Sequence, residues 1–177
     1  MKMEEKQNLT EYKIAIIGGT GKEGKGLACG WIKAGFQVII GSRMVEKALA
    51  AVEEVKSLLG KGINLSGMIN PEAAKTADIV VVTVPYSAHH DTLLMLQPLV
   101  EGKLVIDVTV PIIPPKVTVA QLPPEGSIGL EAKAIFGKNV EVLTAFQNIS
   151  YEKLMAGEFN DCDVLVCGTS KAARALG

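Results

Sequence analysis

Three glycines at dinucleotide-binding spacing are the residues whose types and positions point most directly to chemistry. Gly19, Gly21 and Gly24 follow the pattern G-x-G-x-x-G, between an apolar run at residues 14–17 and helix-compatible sequence at residues 27–34. Such a strand, turn and helix can hold a pyrophosphate at the positive end of the helix dipole. The first glycine permits the tight turn, the second lets the main chain approach the phosphates, and the third allows close helix packing. Although glycines also gather in ordinary loops, this placement predicts a nucleotide site.

A second polar group, about 20 residues further on, indicates which nucleotide would bind. At this position an NAD site has an acidic residue that hydrogen-bonds the ribose 2′-hydroxyl. This chain instead has Ser42 and Arg43 after an apolar run at residues 37–40, and Lys47 lies one helical turn later. A hydroxyl and a guanidinium favour a 2′-phosphate, which a carboxylate would repel. We therefore expect NADP, while a solvated role for Arg43 and an ordinary surface role for Lys47 stay open.

Two adjacent histidines and three cysteines are the remaining candidates for chemistry. Neighbouring residues of a helix point in different directions, so at most one of His89 and His90 faces a pocket, and we favour a structural role over proton transfer. The chain has no zinc-ligand spacing and no Ser-His-Asp set. We expect Cys29, Cys162 and Cys167 to be reduced, packed thiols rather than disulfide or metal ligands.

The elements that must position these residues alternate between β-branched runs and amphipathic stretches. This alternation predicts an α/β fold, a Rossmann-like doubly wound, mainly parallel sheet with helices on both faces. A loose leader at residues 1–12 would precede one nucleotide-binding domain at 13–177. Strands are predicted at residues 13–17, 37–40, 63–68, 79–84 (central), 102–108, 139–145 and 163–167. Helices are predicted at residues 21–34, 44–59, 70–75, 88–96, 127–136, 150–155 and 171–176. Five prolines predict an extended excursion at residues 111–124, as a binding loop or a rigid connector.

Composition limits the class of protein. The length of 177 residues suits one domain with a full core, and the hydrophobic content of 48% excludes a disordered chain. A net charge of -1 without a basic run gives no electrostatic footprint for nucleic acid or an anionic membrane. No apolar run has the length of a membrane span, and residues 1–11 do not resemble a signal peptide, so we expect a cytoplasmic protein.

Together these motifs resemble those of the NADPH-dependent F420 reductases, also called F420H2:NADP oxidoreductases, which act on the deazaflavin coenzyme F420. The matching segments span residues 14–168 and read IAIIGGTGKEGKGLA, VIIGSRxxEK, TVPY, VP, AFQNI and CDVLVCG. The second segment is the most specific, because it repeats the serine, arginine and lysine with which the family binds NADP.

The resemblance implies roles for individual residues. The 2′-phosphate side would be held by Thr20, Ser42, Arg43 and Lys47. The pyrophosphate turn would be lined by Gly21, Lys22 and Glu23. The nicotinamide would lie over Thr83, Val84 and Pro85. The ring edge of the deazaflavin would meet the backbone of Gln147, Asn148 and Ile149, and Gln147 falls where some relatives have histidine.

The implied reaction is reversible hydride transfer between C4 of NADPH and C5 of the deazaflavin. The protein would stack the two rings and exclude water, and no catalytic side chain is required. Family members continue beyond residue 177 with a helical tail that helps to close the cleft and pair subunits, so we expect a more open deazaflavin side, and a homodimer stays open. Two alternatives also stay open: an NADPH-dependent reductase of a flavin, quinone or imine, and a non-catalytic NADP(H)-binding module.

Overall fold

A seven-stranded sheet forms the centre of the computed structural model, which describes residues 8–156, 163–168 and 170–176. Its strands are β1 (Lys13–Ile17), β2 (Gln37–Ser42), β3 (Leu65–Ile69), β4 (Ile79–Val82), β5 (Leu104–Asp107), β6 (Glu141–Thr144) and β7 (Cys167–Gly168). They pair in the order β3-β2-β1-β4-β5-β6-β7, and every pair is parallel except the pair of β6 and β7. The predicted doubly wound α/β fold is therefore confirmed.

The strand order changes direction between β1 and β4, which are neighbours at the middle of the sheet. Ile14 of β1 pairs with Val38 of β2 on one side and with Ile79 of β4 on the other. All four residues of β4 are buried, which confirms its predicted central position. In sheets of this kind ligands bind beyond the carboxyl ends of the strands at this switch point.

Helices cover both faces of the sheet. They are α1 (Lys22–Lys33), α2 (Val45–Leu59), α3 (Asn70–Thr76), α4 (His89–Leu96), α5 (Ile128–Phe136), α6 (Tyr151–Ala156) and α7 (Lys171–Leu176). Ile16 packs in one apolar cluster with Leu27 of α1 and Val52 of α2, whereas Ile17 packs in a second cluster with Leu93 of α4. Successive residues of β1 thus serve opposite faces of the sheet. None of the described helices is both long and apolar enough to cross a bilayer.

The observed strands are mostly shorter than the apolar runs that predicted them. The run at residues 79–84 leaves the ladder after Val82, which pairs with the last residue of β5. The run at residues 163–167 contributes only the last residue of its length to β7. In contrast, β2 continues past its predicted end to Ser42, which is buried. Apolar runs indicate which residues are buried, and buried residues continue into the loops beyond the last paired residue of each strand.

Asn70, Ser87 and Ser127 stand where helix caps are common, and of these three only Ser127 caps its helix. Asn70 is the first residue of α3 rather than its cap, and its side chain is used elsewhere. Ser87 lies within a 3₁₀ turn, and Ala88, which precedes α4, makes no side-chain cap. Ser127 caps α5, since its Oγ accepts a hydrogen bond from the N–H of Leu130 at 3.2 Å.

The predicted leader and the proline-rich excursion have different outcomes. Residues 1–7 lie outside the described residues, but Tyr12 is only 3% exposed and belongs to the core, so the loose leader is wrong at that position. Residues 111–124 contain no helix or strand, as their prolines predicted, and a single bridge pairs Ile113 with Lys116.

Candidate functional site

A cavity of about 1020 Å³ opens beyond the carboxyl ends of β1, β2, β4 and β5. Most of the predicted site residues line it, namely Thr20, Gly21, Glu23, Ser42, Arg43, Lys47, Thr83, Val84 and Pro85. The predicted residues outside its lining are Gly19, Lys22, Gly24, Gln147, Asn148 and Ile149. Lining residues that received no site role from the sequence are Gly18, Met44, Asn70, Tyr86, Ser87, Ala88, Thr92, Val108, Thr109, Val110, Ile112 and Pro114.

Three glycines in and beside the turn after β1 have no space for a side chain. Gly18 has a φ of 74°, and a Cβ there would lie 2.7 Å from Cγ1 of Val84. A Cβ on Gly19 would lie 2.8 Å from the carbonyl oxygen of Ile16, and one on Gly24 would lie 2.6 Å from Cα of Gly19. The left-handed residue is therefore Gly18, one position before the residue predicted for the tight turn. Gly24 is required because α1 packs directly on the turn, and Gly19 is required because the turn folds back over Ile16.

Gly21, at the start of α1, is the glycine that faces open space. It occupies the cap position with a φ of -73° and a ψ of 170°, and the nearest heavy atom to an added Cβ would be the carbonyl oxygen of Gly18, 3.9 Å away. The first N–H groups of a helix have no intrahelical partners, so this end of α1 can receive phosphate oxygens. A glycine here leaves the approach to those groups unobstructed.

The two charged residues after Gly21 have different surroundings. Lys22 donates a hydrogen bond from Nζ to the hydroxyl of Tyr151 at 3.1 Å, outside the cavity lining. Glu23 lines the cavity, and its Oε1 atom is buried without a hydrogen-bond partner among the described residues. Burial raises the pKa of the Glu23 carboxyl. A shift in this direction lessens the repulsion between this carboxyl and a phosphate.

A hydroxyl and two cations gather at the end of β2. Ser42 is 5% exposed, and its Oγ accepts a hydrogen bond from the N–H of Met44 at 3.3 Å. Arg43 and Lys47 are exposed where they line the cavity, and neither has an ion-pair partner within the described part of the chain. Two cations without carboxylate partners beside a hydroxyl can bind a phosphate dianion.

The loop after β4 forms the wall on the other side of the glycine turn. Thr83 donates from both its N–H and its Oγ1 to the carbonyl oxygen of Ile17, each at 3.0 Å. Val84 follows in contact range of Gly18, and Pro85 continues the wall. These bonds hold the loop against the end of β1, so the two walls of the cavity keep a defined separation.

Asn70 lines the cavity, although the sequence indicated no site role for it. It is 6% exposed, and its Oδ1 accepts a hydrogen bond from the N–H of Gly18 at 3.3 Å. The same oxygen would lie 2.8 Å from a Cβ on Gly41, so that glycine makes room for it. The position of Asn70 in the sequence could have indicated that it lies near the site. Asn70 directly follows β3, and the carboxyl ends of all parallel strands meet at one edge of the sheet.

The segment predicted to meet the deazaflavin, residues 147–149, lies beside the cavity wall rather than in its lining. Gln147 donates from Nε2 to the carbonyl oxygen of Asp107 at 3.0 Å. Asn148 donates from Nδ2 to the carbonyl oxygen of Asp163 at 2.8 Å. The N–H of Ile149 is used within a turn, where it donates to Phe146. The side-chain amides of Gln147 and Asn148 are therefore engaged with the protein.

The two histidines diverge, as predicted for adjacent helix residues, yet both contact the same carboxylate. His89 is fully buried, and its Nε2 lies 2.6 Å from Oδ2 of Asp107, which is fully buried as well. The Nδ1 atom of His89 lies 3.3 Å from Oε2 of Glu131 without hydrogen-bond geometry. The side chain of His90 is 63% exposed, and its Nδ1 lies 3.0 Å from Oε1 of Glu131. Neither histidine lines the cavity.

The pKa of His89 is subject to opposing effects. Burial lowers it, while the hydrogen bond and charge of Asp107 and the charge of Glu131 raise it more, so the pKa lies above its ordinary value. The aromatic ring of Tyr86 is tilted over the imidazole, with ring centroids 6.0 Å apart. A raised pKa favours the doubly protonated imidazole, which donates from Nε2 to Asp107.

This raised pKa predicts a pH-dependent stability. Because the folded protein binds the His89 proton more tightly than the unfolded chain, the stabilisation is complete below the ordinary histidine pKa of about 6.5 and is lost as pH rises through the folded pKa. Urea unfolding between about pH 6 and about pH 9 should show a falling free energy of unfolding for the wild type and a smaller fall for His89→Gln. The control His90→Gln should keep the wild-type dependence of the free energy of unfolding on pH. If His89→Gln kept that dependence as well, His89 would not be the group responsible for it.

The residues present fit a phosphorylated dinucleotide. The cavity joins an open helix N-terminus at Gly21, a hydroxyl with two cations beyond β2, and a wall beyond β4. No cluster of His, Cys, Asp or Glu that could hold a metal ion occurs in the described ranges. Cys29 and Cys167 are free thiols; Cys29 is buried, whereas Cys167 is exposed and not packed as predicted, and Cys162 lies outside the described residues.

Comparison with known proteins agrees with this geometry. A family model described as "NADP oxidoreductase coenzyme F420-dependent" matches residues 13–111, which include the glycine turn, the end of β2 and the loops after β4 and β5. An F420-dependent NADP reductase of Methanocaldococcus jannaschii is 37% identical over 171 residues, covering 93% of this chain and 76% of the relative. That of Methanothermobacter thermautotrophicus is 40% identical over 167 residues, covering 91% of this chain and 72% of the relative.

Solved structures share the fold at lower identity. The crystal structure of a candidate F420-dependent NADP reductase from Arthrobacter sp. FB24 superposes with a TM-score of 0.75 at 22% identity, covering 93% of this chain and 77% of the other. A pyrroline carboxylate reductase of Plasmodium falciparum with NADP bound reaches 0.60 at 16% identity, covering 93% of this chain and 50% of the other. At such identities the structural likeness supports the fold, whereas the family model and the sequence relatives identify the family. The chain belongs to the coenzyme F420-dependent NADP oxidoreductase family.

Proposed function

We propose that this protein catalyses reversible hydride transfer between NADP(H) and coenzyme F420. The observation that carries the proposal is the cavity at the switch point of the sheet. There an open helix N-terminus and the wall after β4 meet two cations that have no carboxylate partner among the described residues. Family membership supports the deazaflavin coenzyme F420 as the second substrate, because the relatives are named F420-dependent NADP reductases. Residues 13–177 would act as one NADP-binding domain, and the cytoplasmic location and the homodimer stay predictions from the sequence.

The NADP(H) half of the site would be held from both sides of β1. The first turn of α1 would bind the pyrophosphate, with Gly21 leaving the approach free and Thr20 beside it. Arg43 and Lys47 would bind the 2′-phosphate, supported by the hydroxyl of Ser42. Gly19 and Gly24 would shape the turn, and Lys22 would contribute positive potential from outside the lining.

The hydride acceptor half would lie towards β5 and β6. Thr83, Val84 and Pro85 would support the nicotinamide, and the acceptor would approach it from the side of residues 147–149. The side-chain amide of Gln147 is held by the main chain at the end of β5, which places this segment next to the cavity wall. The backbone of Gln147, Asn148 and Ile149 would then meet the edge of the deazaflavin ring.

The chain's contribution to the reaction is to bind, orient and exclude water. When bound, NADPH supplies a hydride from C4, the deazaflavin accepts it at C5, and a solvent proton completes the reduction of the ring. The apolar side chains of Val84, Val108 and Ile112 line the cavity and reduce access of water to the reacting carbons. No described side chain needs to exchange a proton, so orientation is the source of rate enhancement.

The proposal is tested by mixing the purified protein with NADPH and coenzyme F420 and following the loss of the deazaflavin's absorbance. We expect turnover that requires the protein and slows at least about tenfold when NADH replaces NADPH, the discrimination of one charge-assisted contact. A free flavin, a quinone and an imine are offered as acceptors in parallel. Faster turnover of one of these would identify a different reductase, and tight NADPH binding without oxidation by any acceptor would identify a binding module.

A further inference from the structure

Asp107 links three parts of the molecule although its side chain is fully buried and lies outside the cavity lining. Its Oδ2 contacts Nε2 of His89 at 2.6 Å, and its Oδ1 accepts a hydrogen bond from the N–H of Thr109 at 3.0 Å. Its carbonyl oxygen accepts from Nε2 of Gln147 at 3.0 Å and from the N–H of Ala145 at 3.4 Å. One residue thus contacts α4, the loop after β5 and the segment after β6.

Two of these contacts lead to the cavity walls. Thr109 lines the cavity, and its Oγ1 donates a hydrogen bond to the carbonyl oxygen of Val84 at 3.4 Å. Val84 belongs to the wall proposed to support the nicotinamide. Gln147 begins the segment proposed to meet the acceptor. Asp107 therefore lies between the wall on the NADP(H) side and the segment on the acceptor side.

His89 determines whether Asp107 can keep these contacts. A fully buried carboxylate is costly unless it is paired and hydrogen-bonded, and replacing such a pair by apolar residues is often neutral or stabilising. Stability alone is therefore a weak reason for a buried His89–Asp107 pair. Both side chains are 0% exposed and neither lines the cavity, so neither directly contacts a ligand there.

We propose that Asp107, held by His89, is a positioning residue that sets the acceptor segment at Gln147 against the wall formed by Thr109 and Val84. The inference deepens the proposed function and rests on it. The groups facing His89 come from each element packed around it: Asp107 from β5, Glu131 from α5 and the ring of Tyr86 from the turn before α4. Loss of the imidazole leaves two carboxylates facing each other, and the end of β5 shifts with its hydrogen-bond partners.

Binding measurements without turnover test this inference. The protein is saturated with NADP⁺ and titrated with oxidised F420, so that no hydride can be transferred, and F420 fluorescence reports the dissociation constant. His89→Gln should weaken F420 binding about tenfold while NADP⁺ binding changes less than about threefold, because the adenosine end lies away from Asp107. The matched control is His90→Gln, which alters the neighbouring residue that contacts Glu131 from the exposed side, and it should bind F420 within about twofold of wild type.

A double-mutant cycle separates positioning from general damage. If His89 acts through the placement of Gln147, then His89→Gln and Gln147→Ala combined should weaken F420 binding no more than about twofold beyond the larger single effect. Additive losses, equal losses of F420 and NADP⁺ binding, or wild-type F420 binding by His89→Gln would each overturn the inference.

A second variant keeps the test decisive if His89→Gln does not fold. Asp107→Asn retains an oxygen for the N–H of Thr109 and removes the charge that pairs with His89. Its F420 and NADP⁺ dissociation constants and its double-mutant cycle with Gln147→Ala are judged by the same criteria. Failure of the wild-type protein to bind F420 would overturn the proposed function and this inference with it. Equal F420 binding by wild type and the folded variant would overturn this inference alone.

Discussion

Replacing Gly21 with valine should abolish nucleotide binding while leaving the fold intact. Gly21 has φ and ψ values that any L residue adopts, and a Cβ there would have no neighbour closer than 3.9 Å. The substitution should therefore lower the affinity for the ligand and leave the stability of the fold unchanged. A branched side chain at this position projects into the space through which phosphates reach the first turn of α1.

The expected loss of NADPH affinity is more than about a hundredfold, since the pyrophosphate forfeits several main-chain hydrogen bonds at once. Calorimetric titration with NADPH measures the affinity, and thermal unfolding without ligand reports the fold. The control is Gly24→Val, whose Cβ would meet Cα of Gly19 at 2.6 Å and which should therefore lower the melting temperature. A folded Gly21→Val protein with wild-type affinity would show that the turn has only a structural role.

The contrast between Gly21 and its neighbours shows how far the sequence predicted this site. Spacing located the turn and the glycine that faces open space, because a strand followed by G-x-G-x-x-G has few alternative geometries. Spacing did not identify Gly18 as the left-handed residue, because either of two consecutive glycines can adopt a positive φ. In the structure it is Gly18, which packs against Val84, that does so. Local patterns predict which segment turns, whereas long-range packing determines how it does so.

Asn70 and Asp107 show what the sequence could not predict. Each follows or ends a strand, and each has partners far along the chain: Asn70 bonds to Gly18, and Asp107 bonds to His89 and Gln147. An asparagine before a proline is typical of a helix cap, and that local preference was overridden by the unpaired N–H of the glycine turn. The sheet order brings these groups together, and no motif spans the intervening sequence.

Replacing Arg43 with alanine should weaken NADPH binding far more than NADH binding. Arg43 follows the last residue of β2, lines the cavity and has no carboxylate partner in the residues that the structure describes. Its guanidinium is therefore available to the 2′-phosphate that only NADPH carries. Loss of a charge-assisted contact should cost about 1.5–3 kcal/mol, which is roughly a 10- to 150-fold loss of NADPH affinity.

The comparison of the two nucleotides makes this prediction specific. Calorimetric titrations of Arg43→Ala with NADPH and with NADH should give dissociation constants that approach each other. In the wild type, raised salt should bring the two dissociation constants closer together, because ions screen the exposed cation. Lys138→Ala is the matched control: it removes an exposed cation that precedes β6, in the opposite half of the sheet, and should leave both dissociation constants unchanged. If Arg43→Ala weakened both nucleotides equally, Arg43 would contribute only general positive potential, and selection of the 2′-phosphate would have to come from Ser42 and Lys47.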